Sequence, residues 1–233
     1  FGFEAAGGGW FQGDPEGNIE YQGGAIDLKE DLGYAGKARL MGRLKLKHPV
    51  PVLPNLYLMA TPMSFESDKG VVPVTVNFAD KPITLNVPIS SKLNLDHYDV
   101  TLFWGVPLLS TATLGKFNID WGLNARLQTL EAEITQETLS YSEKTDKILA
   151  PIPMVYLAAQ LKPIDLIGVD VEARLLPLGE NHYYSVIGRL KVKPFGPLFA
   201  GGGYRWDNIK VESDDVKVDM TFKGPFVEAG IEF

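Results

Sequence analysis

Gly36-Lys-Ala-Arg-Leu-Met-Gly-Arg-Leu-Lys-Leu-Lys47 is the stretch that decides the fold. Ala38, Leu40, Gly42, Leu44 and Leu46 alternate with Lys37, Arg39, Met41, Arg43, Lys45 and Lys47. Wound as a helix, the segment would scatter its cations around every side. Extended as a strand, it has one greasy face and one cationic face.

The same period of two recurs along the chain. Tyr98, Val100, Leu102 and Trp104 oppose Asp99, Thr101 and Phe103. Phe117 to Leu127 on odd positions opposes Asn118, Asp120, Gly122, Asn124, Arg126 and Gln128. Val155, Leu157, Ala159 and Leu161 form a further apolar row, and Val169, Val171, Ala173 and Leu175 oppose Asp170, Glu172 and Arg174. Tyr184 to Val192 on even positions opposes Ser185, Ile187, Arg189 and Lys191, and Leu198 to Trp206 opposes Phe199, Gly201, Gly203 and Arg205. Strands near 3–12, 55–67 and 224–233 bring the expected number to ten, all within one domain, 1–233, and no helical segment is expected.

Pro-rich connections at 48–54, 106–110, 162–165 and 193–197 alternate with polar ones, the longest being 13–34. The Pro-rich set is assigned to one end and the polar set to the other. An even strand count then puts both termini on the same side. Two hairpins are predicted to be unusually long: 55–79 with 82–105 about Asp80, and 114–138 with 140–161 about Leu139. Pro73 and Pro88 are expected at bulges or edges of the first. Val216, Val218, Met220 and Phe222 are even, whereas the terminal apolar set is odd, so a bulge is expected at Gly224-Pro225. Folding 184–206 about residue 195 predicts Tyr184 opposite Trp206, an aromatic girdle at one rim, with Trp104 and Phe117 near the other.

Composition narrows the class. The chain has 233 residues, 45% hydrophobic, with mean hydropathy -0.01. No apolar run approaches the length of a transmembrane helix. Without cysteine there are no disulfides, thiolate metal sites or cysteine nucleophiles. A net charge of -7 argues against nucleic-acid binding, which needs surplus cations. Acidic residues gather at 13–34, 64–70 and 207–219, where divalent cations of a lipopolysaccharide surface could meet them. A first residue other than Met is read as a mature form whose secretory signal has been removed.

In Phe226-Val-Glu-Ala-Gly-Ile-Glu-Phe233, Val227, Ala229, Ile231 and Phe233 share one face. A sheet ending on such a strand would expose an edge ready to pair with other chains, unless the strand closes a barrel. Greasy faces outward and ionisable faces inward make an all-β, single up-and-down antiparallel transmembrane barrel of about ten strands with two long extracellular hairpins. The soluble alternative, a lipocalin-like binding barrel, would require the charged faces to point to water.

The chain resembles a family of Gram-negative outer-membrane β-barrels marked by Gly-rich N-terminal segments. The resemblance rests on Gly2-Phe-Glu-Ala-Ala-Gly-Gly-Gly-Trp10, Ile26-Asp-Leu-Lys-Glu-Asp-Leu-Gly33, Lys47-His-Pro-Val-Pro-Val-Leu-Pro-Asn-Leu56 and Leu95-Asp-His-Tyr-Asp-Val-Thr-Leu102. It implies a bacterial outer-membrane location, with membrane lipid and lipopolysaccharide as surroundings. It also implies recognition by the barrel assembly machinery, for which Val227, Ala229, Ile231 and Phe233 are the candidate signal. No catalytic residue, cofactor or metal comes with it.

Candidate functional residues are the expected lumen set: Arg39, Arg43, Lys45, Asp120, Arg126, Glu172, Arg174, Arg189, Lys191, Arg205 and Glu228. Such charges could ring a restricted passive pore, or pair with one another and plug it. A structural or surface-interaction barrel, and a barrel sheathing a partner in a larger envelope complex, are the non-conducting readings. The alternative is an outer-membrane hydrolase with its site at the extracellular rim, where His97 or His182 beside a carboxylate would act as general base; a solvated rim histidine is the plainer expectation. His48 lies in a Pro-rich turn. Gly7-Gly8-Gly9 and Gly201-Gly202-Gly203 are read as sites of sharp barrel curvature.

Overall fold

The computed structural model describes residues 1–21, 24–50, 52–78, 81–136, 141–145, 147–179, 181–212 and 216–233. Its strands are β1 (Gly2–Phe11), β2 (Glu16–Tyr21), β3 (Gly24–Asp27), β4 (Ala38–Lys47), β5 (Asn55–Thr61), β6 (Ser64–Phe78), β7 (Lys81–Asn94) and β8 (His97–Gly105), followed after a short helix by β9 (Phe117–Gln136), β10 (Tyr141–Lys144), β11 (Ile148–Ile164), β12 (Ile167–Leu178), β13 (Asn181–Phe195), β14 (Leu198–Glu212) and β15 (Val216–Glu232). Ten of them pair antiparallel in the order β1-β4-β5-β8-β9-β11-β12-β13-β14-β15, and β15 returns to β1 to close a ten-stranded barrel. Phe3 and Phe233 exchange backbone hydrogen bonds, so both termini lie at the end that carries the short turns.

The alternation seen in the sequence sorts the two faces of the wall. Leu40, Leu102, Leu123, Leu157, Val171, Leu190 and Val227 stand exposed on the outside. Their neighbours in sequence, Arg39, Arg43, Asp99, Arg126, Glu172, Arg189 and Glu228, are buried within. Trp104 stacks on Trp121 at 5.3 Å near the short-turn end, and its Nε1 donates to the Val52 carbonyl.

Above the opposite rim the wall continues. β6 and β7 form a long hairpin, β7 also pairs with upper β9, and β10 flanks β9 on its other side. β2 and β3 extend the sheet beside upper β15. The two tips, at Asp80 and Leu139, lie outside the described residues. The β9–β11 register matches the expected pairing about Leu139, whereas β6–β7 pairs Phe78 with Lys81, displaced by one residue from a fold about Asp80. Pro88 pairs with Val71, and the register shift in this hairpin falls between Ser67 and Gly70.

Four expectations are corrected. Leu109–Ala112 forms one helical turn, closed where the Thr113 hydroxyl donates to the Leu109 carbonyl and accepts from the Phe117 amide. Tyr184 faces Asn208, and Trp206 faces Val186, because Phe195 pairs with Leu198 and the turn is therefore Gly196-Pro197 rather than residue 195. His97 is buried at 0% exposure and is no rim residue. There is no bulge at Gly224-Pro225: β14 and β15 keep one register from Leu198–Ile231 to Glu212–Lys217.

The last correction has a physical reason. Met220 and Phe222 point inward, like Phe226 and Glu228 beyond them. The interior is apolar at this level, so the apolar side of β15 changes while its geometry does not. Leu28, Leu32 and Tyr34, from the segment expected to be an outside loop, fold into the same layer with Phe65 and Leu93. Asp27 sets that segment by accepting the Lys29 and Glu30 amides, and the Asp31 carbonyl accepts the Val71 amide, joining the segment to β6.

Candidate functional site: the barrel interior

The interior is stacked in layers. Nearest the termini, Lys191 pairs with Asp170 at 2.9 Å, Glu4 at 3.1 Å and Glu232 at 3.3 Å, and Lys162 reaches Glu232 at 2.6 Å. Lys45 and Lys47 approach Asp120 at 3.4 and 3.9 Å. This end holds two polar cavities of about 290 and 210 Å³ that share Lys47, Gln160 and Lys162 in their walls.

The middle layer is built from Arg43, Arg189, Glu172 and Glu228. The Arg43 guanidinium donates to Glu228 at 2.7 and 3.0 Å and to Glu4. Arg189 bridges Glu172 and Glu228, and the Tyr57 hydroxyl donates to Glu172 at 3.1 Å. Arg174 bonds Glu172 at 3.3 Å and lies over the rings of Tyr57 and Tyr156 at 5.1 and 5.4 Å. A cation on an aromatic face is partly compensated for lost water. The free space among Glu4, Arg43, Tyr156, Glu172 and Arg189 is about 10 Å³, close to the minimum for one water molecule.

The next layer joins two strand pairs. Asp99 on β8 accepts two bonds from Arg126 on β9, both 2.9 Å, and one from Asn124 at 2.8 Å. Arg205 on β14 bonds Asp207, the Thr61 hydroxyl and His97. His97 Nδ1 faces the Leu95 carbonyl at 3.2 Å and Nε2 faces Arg205 at 2.7 Å. A carbonyl only accepts and a guanidinium only donates, which fixes a neutral ring with its proton on Nδ1. Above this layer Arg205 lies over Trp10 and Arg39 over Phe65, both at 4.6 Å, and Phe65 stacks on Phe222 at 5.5 Å.

All eleven residues expected to line the lumen are buried inside the barrel. Ten of them enter ion pairs, while Arg39 meets the Phe65 ring. The expected lumen set omitted Glu4, Asp99, Asp170, Asp207 and His97, although Asp170 shares strand parity with Glu172 and Arg174, and Asp207 with Arg205. Val227, Ala229 and Phe233 face outward on the closing strand, and Ile231 is half-buried in the same row. His48 is a turn residue, bonding Asn55, Pro54 and Val50. His182 bonds Asn208 at 2.6 Å and stacks on Tyr184; Glu180, beside it in sequence, lies outside the described residues. Among the described residues no group of three or more carboxylates, histidines or cysteines could hold a metal ion.

No protein-family model and no curated protein matches the chain. Among solved structures, the outer membrane protease OmpT from Escherichia coli matches with TM-score 0.56 at 8% identity, over 100% of this chain and 96% of that one. Ail of Yersinia pestis matches with TM-score 0.40 at 12% identity over 100% and 98% of the two chains. Neisserial surface protein A matches with TM-score 0.35 at 9% identity over 99% and 97%. At such identities the likeness is one of fold, and the fold is that of the outer-membrane β-barrels, which cross the membrane with strands.

Proposed function

We propose that the chain resides in a bacterial outer membrane as a closed, non-conducting barrel that carries its β6–β7 and upper β9–β10 ribbons above the lipid as a surface for interaction. The observation that carries this reading is the full burial of Arg126, Arg174 and Arg205, each at 0% exposure. A water-filled pore would wet such groups. Here they are locked between acids below and the layer of Trp10, Phe65 and Phe222 above.

The exposed outer apolar belt supports lipid and lipopolysaccharide as surroundings, and on this reading the raised ribbons meet a lipopolysaccharide surface or a larger envelope complex. The outward row Val227, Ala229, Ile231 and Phe233, on the strand that closes the barrel, suits recognition by the assembly machinery.

Planar-bilayer recording tests the closed barrel. The expected outcome is that the purified protein gives no single-channel steps under an applied potential. Regular steps whose ion selectivity shifts with Arg43→Glu or Arg189→Glu would establish the restricted pore instead.

The structural neighbour named a protease raises the hydrolase alternative, but no arrangement among the described residues favours it. His97 is sealed in the interior, and the ring of His182 meets an amide oxygen.

A further inference from the structure

The wall has a seam. Pairing between β11 and β12 stops at Val155–Leu175. Beyond that rung β11 continues to pair with β9 as far as Ile148–Leu130, and β12 with β13 as far as Leu178–Asn181. The two strands part while each keeps its other neighbour.

The sequence contains the cause. A strand residue in an antiparallel pair directs its own N–H and C=O toward one neighbour, and the next residue toward the other. Pairing with β9 runs unbroken through Pro151 and Pro153, so those nitrogens face β12. Extending the β11–β12 register by two residues sets Pro153 opposite Pro177. Neither proline has a proton to donate, so that rung cannot form.

The outer face of the seam is an apolar groove of about 440 Å³, within the range of small-ligand sites. Leu123, Ala125, Pro153 and Pro177 line it, with Met154 and Leu176 deeper. It lies at the height of the Leu175–Tyr184 rung, toward the rim opposite the termini. It is continuous with the exposed belt that includes Val100, Leu102 and Val155.

An open strand edge in hydrocarbon normally costs several kcal/mol for each unsatisfied group. This edge has lost its donors at Pro151, Pro153 and Pro177. The same loss makes it a poor template for an added strand, whether from another protein or from a second copy. We infer that the seam is a lateral notch that takes one hydrocarbon chain of an outer-leaflet lipid end-on, against Met154 and Leu176.

The test is photo-crosslinking in vesicles that contain a phospholipid with a diazirine at its acyl terminus. Ordinary boundary lipid labels residues by their outward exposure. The notch instead makes Met154, 2% exposed, label at least as strongly as Leu157, 43% exposed. Ala125→Trp fills the groove from outside, removing the Met154 adduct and leaving the Leu157 adduct unchanged. A Pro153→Val/Pro177→Val double variant restores both donors, zips the seam and removes the same adduct, so the result does not hang on one substitution. Heat-dependent gel mobility verifies that both variants fold. Labelling that merely follows exposure, or that survives both variants, overturns the proposal. So does efficient disulfide dimerisation through Ala125→Cys in this cysteine-free chain, which would assign the groove to a second copy.

Discussion

Asp99→Ala probes whether the interior is as dry as its packing implies. Asp99 is the only carboxylate ion-paired with Arg126 among the described residues, and neither side chain has any exposed surface. Removing it leaves the Arg126 guanidinium with the Tyr183 ring at 4.6 Å, a contact already present in the parent protein. Arg174 loses a 3.9 Å approach but keeps Glu172. One orphaned buried charge costs about 3–5 kcal/mol. The assay is reversible urea unfolding in lipid or detergent, followed by tryptophan fluorescence. Glu66→Ala is the reference: its pair with Lys92 is exposed and screened by solvent, so its loss should barely move the unfolding midpoint. The Asp99→Ala/Arg126→Met double variant removes both charges and should recover most of the loss. A loss for Asp99→Ala no larger than that for Glu66→Ala would refute the argument, because it would mean that water solvates this layer.

Phe222→Ala should cost about 3–5 kcal/mol, as for a large core side chain, whereas outward Val227→Ala should cost well under 1 kcal/mol in lipid; comparable losses would return β15 to the discarded phase break. Gly8→Ala would place a Cβ 2.0 Å from the Val227 carbonyl at the β1–β15 closure. Overpacking of this kind costs about 1–3 kcal/mol, and a lower thermal midpoint on heat-modifiability gels is the expected outcome. Outside the membrane, the Asp14 carboxyl is held below its ordinary range, first by the Gly36 amide and then by Lys29. A lowered carboxylate stabilises the fold above its unfolded value of about pH 4 and loses that effect as pH falls through the folded value. Exchange of the Gly36 amide should therefore show less protection at low pH in the parent, and an Asp14→Asn variant should lack that step.

The barrel was legible because its sorting rule is local. In β4 the alternation of Leu40, Leu44 and Leu46 with Arg39, Arg43 and Lys45 names both faces without knowledge of any partner. The rule failed where the interior changes character. Met220 and Phe222 are as apolar as Val227 and Ile231, and periodicity records that a face is greasy without recording whether lipid or other side chains cover it. Leu28, Leu32 and Tyr34 were hidden for a related reason: they are spaced among Asp and Glu in a segment with no strand period, and only the Asp27 turn and its bond to β6 direct them inward.

Pairing partners were the second limit. Asp99 shares parity with Thr101 and Phe103, so its inward direction was readable. Its bidentate bond to Arg126 depends on the β8–β9 register, which a pattern along one strand does not contain. The seam makes the same point. Pro153 and Pro177 each read as a weak strand residue, and only the register that places them on one rung turns two ordinary prolines into a gap. Chemistry along a strand therefore fixes which face is which, while chemistry across strands fixes where the wall can open. That is why the Pro153→Val/Pro177→Val variant is the decisive one: it leaves the lumen and every ion pair untouched and changes only whether that rung can close.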